Sequence, residues 1–175
     1  MHQPKKRIHL SVPHMGATEE QFVRDAFATN WLSTVGPNID AFEAEFSAKV
    51  SGDRTLPCVA LGSGTAAMHL ALRLLGVGPG DDVFTPTLTF VASANTPIYL
   101  GARPVFLDSD RASWNLDPEV LREALRDRAK SGKLPRAVIV VHLFGQSADL
   151  DPILAVCKEY GVPVLEDAAE GMGTL

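Results

Sequence analysis

Long hydrophobic runs are missing from this sequence of 175 residues, although hydrophobic residues make up 46% of it. A membrane-spanning helix needs about 18 or more consecutive apolar residues, and no run here approaches that length. The N-terminus also lacks the apolar segment of a secretory signal peptide. We therefore expect a cytoplasmic protein that does not enter the membrane.

Cysteine and basic charge are also scarce. The two cysteines, Cys58 and Cys157, have neither a CxxC partner nor metal-ligand spacing, so we expect core thiols in a reducing compartment and no metal site. The net charge is −5, and the one basic cluster lies at residues 5–7. This pattern is typical of a solvated tail and argues against nucleic acid as a partner.

Helical and strand-like segments alternate along the chain. Two helices are predicted first, over residues 18–29 and 39–50, and Thr18 can cap the first of them. The five predicted strands cover residues 58–61, 82–86, 104–107, 137–141 and 162–165, and the helices between them cover 64–75, 89–100, 117–130 and 149–160. Short, continuous apolar strands separated by helices predict a three-layer α/β/α sandwich with a mostly parallel sheet.

A glycine-rich turn, Gly62-Ser63-Gly64-Thr65, follows the first predicted strand and leads into a helix. Glycine lets the backbone approach a ligand, and a helix N-terminus offers free N–H groups and partial positive charge. The turn is therefore either an anion site, to which the Thr65 hydroxyl adds a donor, or a tight connection that binds nothing.

Two other phosphate-binding motifs compete for this turn. The segment 62–67 fits G-x-G-x-x-A, but a dinucleotide site also needs an acidic residue at the far end of the second strand. Asp81 and Asp82 precede that strand, and its far end has no acid, which disfavours an oxidoreductase of the Rossmann type. A nucleoside-triphosphate loop is excluded because no Gly-Lys-Ser/Thr follows.

Three strand ends carry further candidate side chains. Phe90 can stack on a flat ring or belong to the core, and His142 can contact a ligand or satisfy the backbone. The pair Glu166-Asp167 is either a solvated strand end or cap, or a partner for a cationic ligand atom. A carboxylate keeps a pyridine nitrogen protonated, as pyridoxal phosphate requires. An anion site, a ring platform and this acid at neighbouring strand ends together suit that cofactor.

Six segments carry a resemblance to a known family: LSVPHMGATEE (10–20), NWLSTVGPNIDAFE (30–43), SGTAAMHLALRLLGVGPGDDVFTPTLTFVASAN (63–95), PVFLDSDRASWNLD (104–117), VHLFGQSADLD (141–151) and VPVLEDAAEGMGTL (162–175). In order and spacing they resemble the DegT/StrS-type nucleotide-sugar aminotransferases, which are pyridoxal-phosphate enzymes of the aspartate-aminotransferase fold. The resemblance implies the N-terminal part of that fold's large domain, with a helical arm over 1–50 and an α/β core over 51–175. It also implies a homodimer.

The resemblance implies roles around the cofactor. Gly64, Thr65 and the Ala66 amide would hold the cofactor phosphate. Phe90 would stack on the pyridine ring, and Asp167 would pair with the ring nitrogen.

Other positions are implied to lie near the ring and the substrate. Glu170 stands where many relatives have Gln or His near the ring face, so a second acid would alter the local charge there. Trp31, Ser33 and Gly36 fall in the loop that borders the sugar pocket of relatives.

The family's Schiff-base lysine belongs to a Ser-Phe-x-x-x-Lys segment roughly 20 residues beyond Leu175, and its small C-terminal domain lies further on. We therefore expect both to be absent from this chain and the chain to be inactive by itself. By motif, Lys130, Lys133 and Lys158 cannot replace that lysine. A branch of the family carries His instead and dehydrates sugars, and the sequence does not separate the two branches.

The favoured function is transfer of an amino group from glutamate to a 4-keto-6-deoxy sugar nucleotide, in polysaccharide or amino-sugar biosynthesis. The main alternative is an inactive, truncated module that binds pyridoxal phosphate or serves in assembly. A pyridoxal-phosphate-dependent sugar dehydratase and a Rossmann oxidoreductase are less favoured.

Overall fold

The chain falls into two compact units, residues 1–60 and 61–175. A computed structural model describes residues 7–9, 12–52 and 56–174. In these ranges no helix is both long and apolar enough to cross a membrane. The basic cluster at residues 5–7 lies largely outside the described residues.

The first unit contains two helices, α1 (Glu19–Ala28) and α2 (Pro37–Ser51). The prediction that Thr18 caps α1 through its side chain is wrong, because Thr18 has near-helical backbone angles and its hydroxyl makes no cap hydrogen bond. Instead the Glu19 carboxylate accepts the Gly16 N–H at 2.8 Å. This backbone hydrogen bonding lowers the pKa of Glu19.

The predicted strand at residues 58–61 does not form. A strand needs a neighbouring ladder for its backbone groups, whereas here the Ala60 N–H donates to Glu43 Oε1 of α2 at 2.7 Å. An apolar run alone is therefore not sufficient to make this segment a strand.

The second unit is an α/β domain with a parallel sheet of four strands in the order β2-β1-β3-β4. The strands are β1 (Asp82–Pro86), β2 (Arg103–Leu107), β3 (Ala137–Val141) and β4 (Val164–Asp167). The helices are α3 (Gly64–Leu74), α4 (Ala92–Tyr99), α5 (Pro118–Lys130) and α6 (Leu150–Tyr160). The predicted alternation of helices and strands is therefore confirmed from residue 64 onward.

Each face of the sheet buries its own apolar cluster. Alternate residues of β3 point to opposite faces, so Val138 and Val140 pack with α5 and α6, whereas Ile139 packs with Leu72 of α3. The two clusters make three layers, as predicted. Cys157 lies in the α5–α6 cluster, and burial raises the pKa of its thiol to about 11.

Strand β4 begins later than the sequence predicted and includes the two acids. Its register pairs Val140 with Glu166 and Val141 with Asp167. Pro163 has no N–H to donate, and its carbonyl only accepts a hydrogen bond from Val138. Pairing with β3 therefore carries the strand through Asp167 and fixes where that carboxylate stands.

Candidate cofactor site

A cleft of about 230 Å³ lies at the carboxyl edge of the sheet. The strand order changes direction between β1 and β3, and ligands of open α/β sheets bind outside the strand ends at such a point. The cleft is lined by Gly64, Thr65, Met68, Phe90, Ala92, Val141, His142, Leu143, Asp167, Ala169 and Glu170.

The start of α3 forms one wall of the cleft. Ser63 caps this helix, and its Oγ accepts the Ala66 N–H at 3.1 Å. Ala67 N–H donates to the Ser63 carbonyl at 3.0 Å. Within the described ranges, the N–H groups of Gly64 and Thr65 have no protein acceptor, so they are the free donors of this helix end.

The same wall has room for an anion. A β-carbon built on Gly64 would meet no atom within 4 Å, so the space beside its backbone is open. No lysine or arginine of the described chain lines the cleft. The positive charge available to an anion there is therefore the partial charge of the free N–H groups and of the dipole of α3.

Asp167 also lines the cleft, at the end of β4. Its Oδ2 accepts a hydrogen bond from Ser93 Oγ at 3.0 Å, and its Oδ1 accepts the Ala169 N–H at 3.3 Å. The side chain is half-buried, so these two donors hold a carboxylate that still reaches the cleft. No local pattern pointed to Ser93, which is 74 residues from Asp167 along the chain.

Phe90 and His142 differ in exposure. Phe90 follows β1 and is 72% exposed, which excludes the core role and leaves its ring free at the cleft. His142 is 5% exposed, and its Nδ1 accepts the Ala148 N–H at 3.1 Å while Nε2 lies 3.4 Å from Glu166 Oε2. The His142 ring is therefore engaged by the protein, which favours the structural role for this residue.

Glu170 also lines the cleft, and it holds the loop after β3. Its Oε2 accepts the Phe144 N–H at 2.8 Å. One carboxylate oxygen is thus committed to the backbone and the other remains for a ligand. Asp167 and Glu170 are thus two acidic residues in the lining of the cleft.

The three residues expected at a sugar pocket lie in the first unit, between α1 and α2. Trp31 and Ser33 are exposed, and Gly36 has φ +144°. A β-carbon on Gly36 would come within 2.9 Å of the Trp31 ring, so glycine is required both by its backbone and by this contact.

The cofactor expected for this cleft is pyridoxal phosphate, and the residues present fit it. Open backbone and free N–H groups suit a phosphate, the exposed Phe90 ring suits an aromatic face, and Asp167 suits a cationic ring nitrogen. In the described ranges no group of three His, Cys, Asp or Glu residues is placed to hold a metal ion.

Solved structures of pyridoxal-phosphate aminotransferases share this parallel α/β fold. A model of the DegT/DnrJ/EryC1/StrS aminotransferase family matches residues 13–175, and the chain belongs to this family.

Individual relatives agree with this assignment. EpsN of Bacillus subtilis (strain 168) is 48% identical over 170 residues, covering 97% of this chain and 43% of EpsN. GDP-perosamine synthase of Caulobacter vibrioides is 40% identical over 167 residues, covering 95% of this chain and 43% of the synthase. A solved PLP form of Spr1654 from Streptococcus pneumoniae is 27% identical with a TM-score of 0.78, covering 96% of this chain and 44% of that one. The chain thus spans less than half the length of these relatives.

Proposed function

We propose that this chain is the N-terminal part of a pyridoxal-phosphate-dependent sugar aminotransferase. The enzyme would transfer an amino group from glutamate to a 4-keto-6-deoxy sugar nucleotide. Family membership supports the reaction class, and the likeness to a GDP-perosamine synthase supports a sugar-nucleotide substrate. The observation that carries the proposal is the Asp167 carboxylate, which lines the same cleft as the free N-terminus of α3.

The phosphate end of the site is proposed at α3. The Gly64 and Thr65 N–H groups and the Thr65 hydroxyl would donate to the phosphate. The Ala66 amide, the third donor expected from the resemblance, is bonded to Ser63 Oγ. We therefore assign the phosphate contacts to Gly64 and Thr65, with Ala66 contributing through the helix dipole.

The ring end of the site is proposed at Phe90 and Asp167. When bound, pyridoxal phosphate supplies an electron sink for negative charge that develops at the substrate carbon. Asp167 would hold a proton on the ring nitrogen, and Phe90 would cover one face of the ring and exclude water from it. Glu170 would lie near the ring face, and in the first unit Trp31, Ser33 and Gly36 would contact the sugar.

Amino transfer also requires a lysine that binds the cofactor covalently and is displaced from it by the substrate amine. Lys130, Lys133 and Lys158 lie in or just after helices α5 and α6, and none of them lines the cleft. We propose that the 175-residue chain by itself binds the cofactor reversibly and has no turnover. The alternative of an inactive module that binds the cofactor makes the same prediction for this chain.

The test is a titration of the purified chain with pyridoxal phosphate, read by absorbance and by equilibrium dialysis. We expect Asp167→Asn to bind about 10- to 100-fold more weakly, because a charged hydrogen bond contributes about 1.5–3 kcal/mol. Asp127→Asn is the control, since that exposed carboxylate on α5 pairs only with surface cations.

Equal affinity of the wild type and the Asp167→Asn variant would remove Asp167 from the site. Glutamate-dependent turnover by the chain alone would contradict its proposed inactivity. Borohydride reduction separates reversible binding from a covalent bond, because only the latter leaves the cofactor attached after denaturation.

A further inference from the structure

Ser93 is a buried serine that lies behind the proposed ring-binding carboxylate. It sits in the first turn of α4 and has no exposed surface. Its Oγ donates to Asp167 Oδ2 at 3.0 Å, which joins the start of α4 to the end of β4. The two residues are 74 positions apart in the sequence.

The direction of this hydrogen bond follows from the chemistry of its partners. An ionised carboxylate only accepts hydrogen bonds, so the single hydroxyl proton of Ser93 must point to Asp167. The Ser93 oxygen can then accept from Thr89 Oγ1, which lies 3.0 Å away. Thr89 Oγ1 also lies 3.2 Å from the Phe90 carbonyl, so its single proton has two acceptors, whereas the Ser93 proton is committed to the Asp167 carboxylate.

We propose that Ser93 is a positioning residue that fixes the Asp167 carboxylate for the ring nitrogen of a bound pyridine cofactor, an inference that rests on the function proposed above. Ser93 holds Oδ2 and the Ala169 N–H holds Oδ1, so rotation of the carboxylate is restrained on both sides. The remaining acceptor directions are left for the cleft. A carboxylate fixed in this way favours the protonated ring without reorganising first.

A neighbouring residue, Thr96, allows the positioning role of Ser93 to be distinguished from the mere burial of a hydroxyl group. Thr96 lies one turn further along α4, also has no exposed surface, and its Oγ1 has no hydrogen-bond partner in the described chain. Burying a hydroxyl on this helix therefore does not require Asp167. Thr96→Val removes a buried hydroxyl from the same helix and is the matched control for Ser93→Ala.

The test uses pyridoxine 5′-phosphate labelled with ¹⁵N in the ring, bound to the full chain. The nitrogen chemical shift against pH gives the midpoint at which the bound ring loses its proton. For Ser93→Ala we expect the midpoint to fall by about one pH unit, a tenfold change, because the carboxylate is no longer held in place for the ring nitrogen and pairs with it less well. Ser93→Thr keeps the donor and should restore the wild-type midpoint, and Thr96→Val should not move it.

The unfolding midpoint in urea, measured for every variant, separates folding from positioning. If Ser93→Ala does not fold, Ser93→Cys, which keeps the volume but donates weakly, replaces it in the comparison. An unchanged ring midpoint in the Ser93 variant, or an equal fall in Thr96→Val, would overturn the role of Ser93. If the wild type does not bind the probe, the cofactor assignment itself fails, and the role of Ser93 with it.

Discussion

Among single residues, Phe144 has a strained backbone. It has φ +54°, a left-handed conformation that costs most L-residues about 1–2 kcal/mol. Its side chain is 60% exposed, so little packing offsets this cost, but its N–H donates to Glu170 Oε2. A carboxylate proposed to face the cofactor therefore also holds a strained loop in place.

This strain predicts opposite effects of glycine at two positions. At Phe144, Gly should be more stable than Ala by about 1 kcal/mol, because only Gly adopts a positive φ freely. At Leu154, a half-exposed position inside α6, Gly should be less stable than Ala by about the same amount. Urea unfolding of the four variants measures both differences. A Phe144→Gly variant no more stable than Phe144→Ala would show that the turn carries no strain.

The reach of sequence reasoning at this scale depends on distance along the chain. The candidate positions of Asp167 and Phe90 can be predicted from local signals, since each residue follows a predicted strand and ligands bind at the edge where parallel strands end. Ser93 does not, because its contact with Asp167 exists only after β4 has paired with β3 and α4 has packed on the sheet. Exposure of Phe90 and burial of His142 were likewise open until the fold was known.

At the scale of elements, an ion-pair cluster at the start of β1 joins two strands and a helix. The Asp82 carboxylate accepts from Arg103 Nε at 2.8 Å on β2 and lies 2.9 Å from Arg128 Nη1 on α5. Its side chain is 11% exposed. Hydrogen bonding from Arg103, with the charges of both arginines, lowers the pKa of Asp82 below its ordinary value of 3.8.

This lowered pKa predicts a pH-dependent loss of stability in Asp82→Asn. A carboxyl whose pKa is lower in the folded state contributes stability above its unfolded pKa and loses it as the pH falls through the folded value. The variant should therefore be about 1–2 kcal/mol less stable than the wild type from pH 5 to 8, and this gap should close below pH 4.

Urea unfolding of the wild type and the variant at several pH values measures the gap. Asp127→Asn serves as the comparison, since Asp127 pairs with Lys130 on the exposed face of α5 and should lose almost nothing. A gap that stays constant down to pH 3 would show that the charge of Asp82 does not stabilise the fold.

Elements with a clear period or cap were predicted closely, and those that depend on a partner were not. Asp117 caps α5 by accepting the Glu119 N–H at 2.8 Å, as its sequence context indicates. The run at 58–61 looked like a strand by composition, but its backbone hydrogen-bonds to Glu43 instead of a ladder. The intrinsic propensity of a segment limits the secondary structures it can form, and the segments that pack beside it determine which of them forms.

At the scale of the whole molecule, the first unit exposes many large apolar side chains. No residue of α1 is buried, and Phe22, Phe27 and Trp31 are each more than half exposed. Apolar surface of this extent is typical of an association site. We expect a second copy of this chain to cover it, in line with the homodimer implied by the family resemblance.

We predict that Phe27→Glu shifts the chain toward the monomer, because it removes apolar area and adds a charge that association would bury. Sedimentation velocity across a range of protein concentrations measures the shift. Gln21→Glu, on the same helix, adds the same charge without removing apolar surface and should associate like the wild type. A wild-type chain that stays monomeric at all concentrations would contradict the expectation.

The sequence by itself determined the α/β alternation, the glycine-rich turn at the start of α3 and the acid at the end of β4, because periodicity, glycine and strand-end chemistry are local properties. Only the tertiary structure decided that Phe90 is exposed, that His142 is buried, and that Ser93 holds Asp167. These features depend on hydrogen bonds and packing between segments distant in the chain, which no local pattern specifies.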